Sequence, residues 1–175
     1  MDSSLKMNEL TQDDIHYVIS THERPDYSGC NYQFKGSIHI VGHSISKKNQ
    51  HFKSPLSIGH DYYIDGEYLK IIPTPGYTLT DITVVVATPN GMYYIAGELF
   101  QNELSFTERE DSERILFTSK RRIEYPLFWR YNRHMVMNLA HCIVTGHGEV
   151  VEVKKLKKHF FKIDNTLKRE RKIRK

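Results

Sequence analysis

The chain has 175 residues, of which 39% are hydrophobic and 26% charged, as is typical of a soluble globular protein. This length suits one compact domain, and no apolar run is long enough to cross a bilayer. The first residues lack the basic start and apolar middle of a secretory signal, which favours a cytoplasmic or nuclear location. With only two cysteines, the sequence also excludes a disulfide framework.

The formal net charge of +4 hides an uneven distribution along the chain. Residues 154–175 contain eleven Lys or Arg and two acidic residues, a local balance of +9, whereas the preceding residues carry −5. We therefore expect a domain over residues 1–153 and a basic C-terminal tail over residues 154–175. A solvated arm, an RNA-binding or nuclear-targeting segment, and a helix that binds a membrane surface all fit such a tail.

In chain order, the first half of the sequence predicts a short helix and three strands. Residues 5–14 have the pattern of a polar helix, and residues 15–21 read as a buried strand that ends in a polar turn. A second strand is expected at 37–41 and a third at 69–72. The polar stretch 44–59 between them is typical of a surface loop or a short helix.

The second half contains the strongest local signal. Two β-rich runs at residues 82–87 and 92–96 flank Asn90-Gly91, which predicts a hairpin with a tight turn. Residues 112–139 have apolar residues at helical spacing and predict one or two helices with a break near Pro126. A last short strand is expected at 142–145.

Four of these strand ends run into short turns with characteristic residues. The turns are residues 21–27 (THERPDY), 73–77 (PTPGY), 95–98 (IAGE) and 145–148 (TGHG). In this order and spacing they resemble the metallo-β-lactamase superfamily, whose motifs are His-x-His-x-Asp-His, Pro-Gly-His, Gly-Asp and Gly-His-Gly. The resemblance extends from about residue 15 to residue 153.

The resemblance implies an α+β fold, the αββα sandwich of that superfamily, with two zinc ions held at the sheet edges. Its endoribonuclease type implies hydrolysis of RNA phosphodiesters and a homodimer. The family's opening strands precede the first motif, whereas Met1 stands only 21 residues before His22. We therefore expect an N-terminally truncated version of the fold, whether as a fragment, a truncated gene model or a shortened paralogue.

Transferred residue by residue, the resemblance implies an incomplete set of metal ligands. Three positions of ligand histidines are substituted, and these are Arg24, Tyr27 and Tyr77. Four positions retain a residue of metal-ligand type, and these are His22, Asp26, Glu98 and His147. Of these, Asp26 would also orient the nucleophilic water.

The two metal positions are affected differently. The first would keep His22 and Glu98, which are too few to hold zinc. The second would keep Asp26, Glu98 and His147, with Tyr27 as a weak neutral donor, and could bind at most one divalent metal with less selectivity for zinc. Arg24 would bring a permanent positive charge to the first position and pair with Glu98 or Asp26.

Each of these residues also has a simpler interpretation. His22 could be a turn residue bonded to backbone, Asp26 a helix cap, and Glu98 a solvated carboxylate. Tyr27 and Tyr77 fit packing or hydrogen bonding better than metal ligation.

Two functions therefore stay open at the level of the sequence, and so does the question of enzymatic activity. The first is a metal-dependent hydrolase that resembles an endoribonuclease. The second is a non-catalytic paralogue, or pseudoenzyme, that binds RNA or a protein partner through its surface and its basic tail.

Overall fold

A computed structural model describes residues 2–101 and 123–155 of the chain, which form two sheets and several α-helices. The first sheet has four strands in the order β1-β2-β3-β4. Its strands are β1 (Tyr17–Ser20), β2 (Ile38–Val41), β3 (Ser44–Lys47) and β4 (Gln50–Phe52). β1 and β2 are parallel, and the other neighbours are antiparallel.

The second sheet has six strands in the order β10-β9-β8-β7-β6-β5. They are β5 (Tyr62–Asp65), β6 (Leu69–Pro73), β7 (Ile82–Thr88), β8 (Gly91–Gly97), β9 (Cys142–Thr145) and β10 (Val150–Glu152). The predicted hairpin at Asn90-Gly91 is confirmed, since Thr88 pairs with Gly91 at the turn. β9 lies parallel to β8, so their C-terminal ends meet at the same edge of the sheet.

Three of the helices are α1 (Asp2–Met7), α2 (Pro25–Ser28) and α3 (Pro126–Leu139), and residues 153–155 are also helical. α3 begins at Pro126, the predicted break, because proline suits the first turn of a helix, where its missing N–H is not needed. The predicted helical residues 112–122 lie outside the described residues. No helix in the described parts is long and apolar enough to cross a membrane.

Two hydrophobic layers hold these elements together. Alternate residues of β6 and β7 point to opposite faces, so Ile71 and Val84 pack toward the first sheet while Ile72 and Val85 pack toward α3. Ile40 of the first sheet is fully buried in the layer between the sheets. The molecule is therefore an α+β sandwich, in agreement with the fold class predicted from the sequence.

Two local predictions are wrong. Residues 44–59 are neither a simple loop nor a single short helix, because they form β3, β4 and a 3-10 turn at Pro55–Ile58. Their polar side chains face solvent, whereas Ile45 and Leu56 are buried between the sheets, so packing outweighed the polar composition. The helix predicted at 5–14 is also divided, since α1 ends at Met7 and a separate 3-10 turn covers Gln12–Asp14.

Candidate functional site

Three strand ends and one loop meet at one edge of the two sheets. Thr21 follows β1, and its carbonyl oxygen accepts a hydrogen bond of 2.9 Å from the backbone N–H of Ile82 in β7. This bond joins the end of the first sheet to the beginning of a strand in the second. Glu98 directly follows β8, and His147 comes two residues after β9, so the sheet register brings them beside the turn after β1.

Two glycines allow these backbones to come so close. Gly97 has φ of +49°, and a Cβ atom there would lie 2.4 Å from the Thr21 hydroxyl oxygen. A Cβ atom at Gly146 would lie 2.9 Å from the carbonyl oxygen of Gly97. Both contacts are shorter than a side chain tolerates, so the approach of the strand ends requires glycine at these positions.

Tyr27, Glu98 and His147 form a hydrogen-bonded group that we call the Tyr-Glu-His cluster. The Tyr27 hydroxyl donates to Glu98 Oε1 over 3.0 Å and lies 3.0 Å from His147 Nε2. His147 Nε2 lies 2.7 Å from the same Glu98 oxygen. The Glu98 side chain is 3% exposed and that of His147 42% exposed, so a buried carboxylate is reached from the solvent side by an imidazole.

Arg24 and Tyr77 form a second contact beside this cluster. Arg24 donates a hydrogen bond from its guanidinium to the Tyr77 hydroxyl, and the Tyr77 residue is only 3% exposed. His22 lies between the two tyrosines, with ring centroids 4.7 Å from Tyr27 and 5.4 Å from Tyr77. Its Nδ1 atom lies 3.2 Å from the Thr21 hydroxyl. Two aromatic rings and one hydroxyl therefore lie beside the His22 ring.

The loop that carries Tyr77 is fixed at both of its ends. Asp81 accepts hydrogen bonds from the backbone N–H of Thr78 over 2.8 Å and from its hydroxyl over 2.6 Å. Burial raises the pKa of the Asp81 carboxyl from 3.8 to about 6, although the bonds from Thr78 act in the opposite direction. At the other end, the Asn132 amide of α3 donates to the Pro75 carbonyl oxygen over 2.7 Å.

The structure brings together most of the residues that the sequence selected. His22, Glu98 and His147 lie at one edge of the sheets, along with the substituted positions Tyr27 and Tyr77. The backbone of Asp26 lies in α2 next to Tyr27, and its side chain is outside the described part of the structure. The interpretation of the two tyrosines as hydrogen-bonding residues agrees with their contacts.

Two further sequence predictions concern the partner of Arg24 and the binding of metal. The sequence predicted a carboxylate partner for Arg24, and the structure identifies the Tyr77 hydroxyl as one of its partners. Within residues 2–101 and 123–155, no three His, Cys, Asp or Glu side chains are placed to hold a metal ion. Since a phenol is neutral near pH 7 and a guanidinium is cationic, the described side chains do not fit a two-metal centre.

Sequence reasoning missed the residues that support the site from behind. Asp81 was detectable in principle, because a Thr-Leu-Thr-Asp run at residues 78–81 offers the local hydrogen bonds of a capped turn. Asn132 and Arg133 of α3 carried no such signal, since their partners Pro75 and Leu99 are distant in sequence.

No family model matches the chain, but two curated relatives do. An uncharacterised protein of Caenorhabditis elegans is 28% identical over 160 residues, which cover 88% of this chain and 42% of the relative. Metallo-β-lactamase domain-containing protein 1 of Xenopus laevis is 28% identical over 147 residues, which cover 83% of this chain and 59% of the relative. The chain therefore spans about half the length of these two proteins.

Solved structures with similar folds include several hydrolases. A Staphylococcus aureus protein described as a "probable metal-dependent hydrolase" matches with a TM-score of 0.62 and 14% identity, over 86% of this chain and 62% of the other. An N-acyl homoserine lactone hydrolase, with its product at a catalytic metal centre, matches with a TM-score of 0.57 and 17% identity, over 83% and 60%. At these identities the likeness is one of fold.

Proposed function

Since the chain has the metallo-β-lactamase fold, which it shares with metal-dependent hydrolases, we propose that it is a non-hydrolytic member of this fold that binds RNA. The observation that carries the first half of the proposal is the Tyr-Glu-His cluster. In it, the carboxylate and imidazole that would bind a metal are bonded to each other and to the Tyr27 hydroxyl.

The physical argument is one of donor number and charge. A catalytic zinc ion needs three protein ligands at about 2.0–2.2 Å and one position for water. A neutral phenol is a poor substitute for imidazole, and the Arg24 guanidinium beside Tyr77 would repel a divalent cation. The proposed role of Arg24 is to supply positive charge where the family's fold expects a metal ion.

Metal content tests this half of the proposal. Purified, tag-free protein equilibrated with zinc, manganese or magnesium should contain far less than one equivalent of metal by inductively coupled plasma mass spectrometry. His147→Ala serves as the control for adventitious binding. One equivalent of metal that is lost in His147→Ala would refute the proposal.

Restoring the substituted histidines tests the placement of the motifs. The triple variant Arg24→His, Tyr27→His, Tyr77→His should gain metal binding, because Glu98 and His147 already lie within 2.7 Å of each other. Glu98→Ala in the same background should abolish the gain. A folded triple variant that binds no metal would contradict our assignment of these positions to the family's ligands.

The RNA-binding half of the proposal rests on charge. The +9 balance of residues 154–175 would neutralise phosphates and release counterions, which makes binding strongly dependent on salt. Full-length protein should bind single-stranded RNA in a filter or anisotropy assay, and log Kd should rise steeply with log salt. A chain without residues 154–175 should lose this binding, and equal affinity of both proteins would reject the tail as the binding element.

A second candidate function is a hydrolase with one metal ion. It is favoured by the retention of Glu98, His147 and the α2 position of Asp26 at one sheet edge. Such a site, rich in oxygen donors, would be less selective for zinc, and RNA phosphodiesters would be its substrate. Hydrolysis of RNA that EDTA abolishes and that His147→Ala lacks would establish this alternative. A homodimer, a nuclear or cytoplasmic location and weak binding to membrane surfaces stay predictions.

A further inference from the structure

Arg133 is a buried cation on α3 that reaches the turn directly after Glu98. The residue is 5% exposed, and its guanidinium donates to the Leu99 carbonyl oxygen over 3.0 Å. The guanidinium carbon lies 4.5 Å from the centroid of the Phe100 ring and 4.2 Å from that of Trp129. Because a buried guanidinium keeps its charge, its position is restricted to places that offer such acceptors and ring faces.

The turn held by Arg133 supports both halves of the Tyr-Glu-His cluster. Its first residues follow Glu98 directly and close the turn with backbone bonds from Leu99 to Ala96 and from Phe100 to Gly97. The next two carbonyl groups of the turn accept hydrogen bonds from the chain that carries the imidazole. Gly146 donates to the Phe100 oxygen over 2.9 Å, and His147 donates to the Gln101 oxygen over 2.7 Å.

The backbone of residues 99–101 is thus the common support of the carboxylate and the imidazole, and α3 fixes this support through one side chain. We infer that Arg133 is a positioning residue, which keeps Glu98 and His147 in hydrogen-bond contact. It acts through its hydrogen bond to the Leu99 carbonyl oxygen, which involves neither of these two side chains. The inference builds on the proposed function, because it concerns the same cluster. It differs from a packing role, since it predicts an effect on the geometry of His147.

The test reads the His147 side chain directly in the full chain. Histidine labelled with ¹⁵N gives ring signals that report on hydrogen bonding, and those of His147 are identified by their loss in His147→Ala. Arg133→Met keeps an unbranched apolar stem but removes the hydrogen bond to Leu99. We expect it to shift the His147 ring signals and to accelerate exchange of the ring N–H proton with water at least tenfold.

Val136→Ala is the matched control, because it removes buried methyl groups from the same helix without changing the bond to Leu99. It should lower the melting temperature and leave the His147 signals in place. Unchanged signals in folded Arg133→Met, or equal changes in Val136→Ala, would overturn the inference. If Arg133→Met does not fold, Arg133→Lys replaces it. Exchange of the His147 ring N–H proton in Arg133→Lys that is at least three times faster than in the wild type supports the inference, and a smaller increase overturns it.

Metal analysis of the same samples separates the two proposals. Bound metal in the wild type refutes the non-hydrolytic function. The ring signals are recorded in protein treated with EDTA, so the comparison of Arg133→Met with Val136→Ala judges the positioning role whatever the metal content of the untreated wild type.

Discussion

Replacing Tyr27 with phenylalanine removes one oxygen atom from the centre of the Tyr-Glu-His cluster. The ring that packs 4.7 Å from that of His22 would stay in place. What is lost is the hydroxyl that donates to Glu98 Oε1 over 3.0 Å and lies 3.0 Å from His147 Nε2. The substitution therefore isolates the contribution of the hydroxyl from that of ring packing.

The expected cost follows from the burial of the partners. A hydrogen bond to a charged group contributes about 1.5–3 kcal/mol to the free energy of unfolding. Because the His147 side chain is 42% exposed, water can replace part of this interaction, and we expect a loss of about 1–2 kcal/mol. For a domain of this size, that loss lowers Tm by about 2–8 °C.

Thermal unfolding followed by circular dichroism measures this effect, and a double-mutant cycle assigns it. Tyr27→Phe, Glu98→Gln and the double variant should show a coupling energy of about 1 kcal/mol, since both single changes affect the same bond. EDTA should leave the Tm of the wild type unchanged. An unaltered Tm in Tyr27→Phe, or a coupling energy near zero, would refute the idea that this hydroxyl helps to replace the metal.

Three further changes test the frame of the site. Arg24→Ala should lower the free energy of unfolding by about 1 kcal/mol. Its effect should not add to that of Tyr77→Phe, because both changes remove the same hydrogen bond; additive losses in urea titrations would show that this bond does not stabilise the fold. Gly97→Ala should lower the free energy of unfolding by about 2 kcal/mol or more, because of its positive φ and its close contact with Thr21. Gly36→Ala is the control and should cost little, because the space around Gly36 is open. Similar urea midpoints for the two variants would contradict the steric argument. Burial raises the pKa of the Asp81 carboxyl to about 6, so this carboxyl binds a proton more tightly in the folded state than in the unfolded state. The stability that proton binding contributes is complete below about pH 3.8 and is lost as pH rises through 6, a change of about 3 kcal/mol in the free energy of unfolding. Asp81→Asn should therefore flatten the stability profile measured by urea unfolding between pH 4 and 6, and a profile unchanged from the wild type would show that another group titrates.

Local patterns in the sequence were sufficient for the elements that depend on short-range chemistry. The hairpin was predictable because the turn-forming residues Pro89, Asn90 and Gly91 separate two β-rich runs. Pro89 and Asn90 form the turn between the paired residues Thr88 and Gly91, and Gly91 has φ of +114°, which glycine adopts without strain. The start of α3 at Pro126 was predictable because proline suits a first helical turn. The strands β3 and β4 were not predictable, since their polar residues face solvent and only Ile45 shows the buried side.

The sequence by itself determined which residues could form the site, through the order of four strand-end motifs and the substitutions within them. Only the tertiary structure decided how these residues pair. Tyr27 meets Glu98 across 71 positions of the chain and His147 across 120, and Arg24 meets Tyr77 across 53. Such pairs depend on how two sheets and α3 pack, because a motif specifies the residues of one turn but not the neighbour that another strand brings beside it.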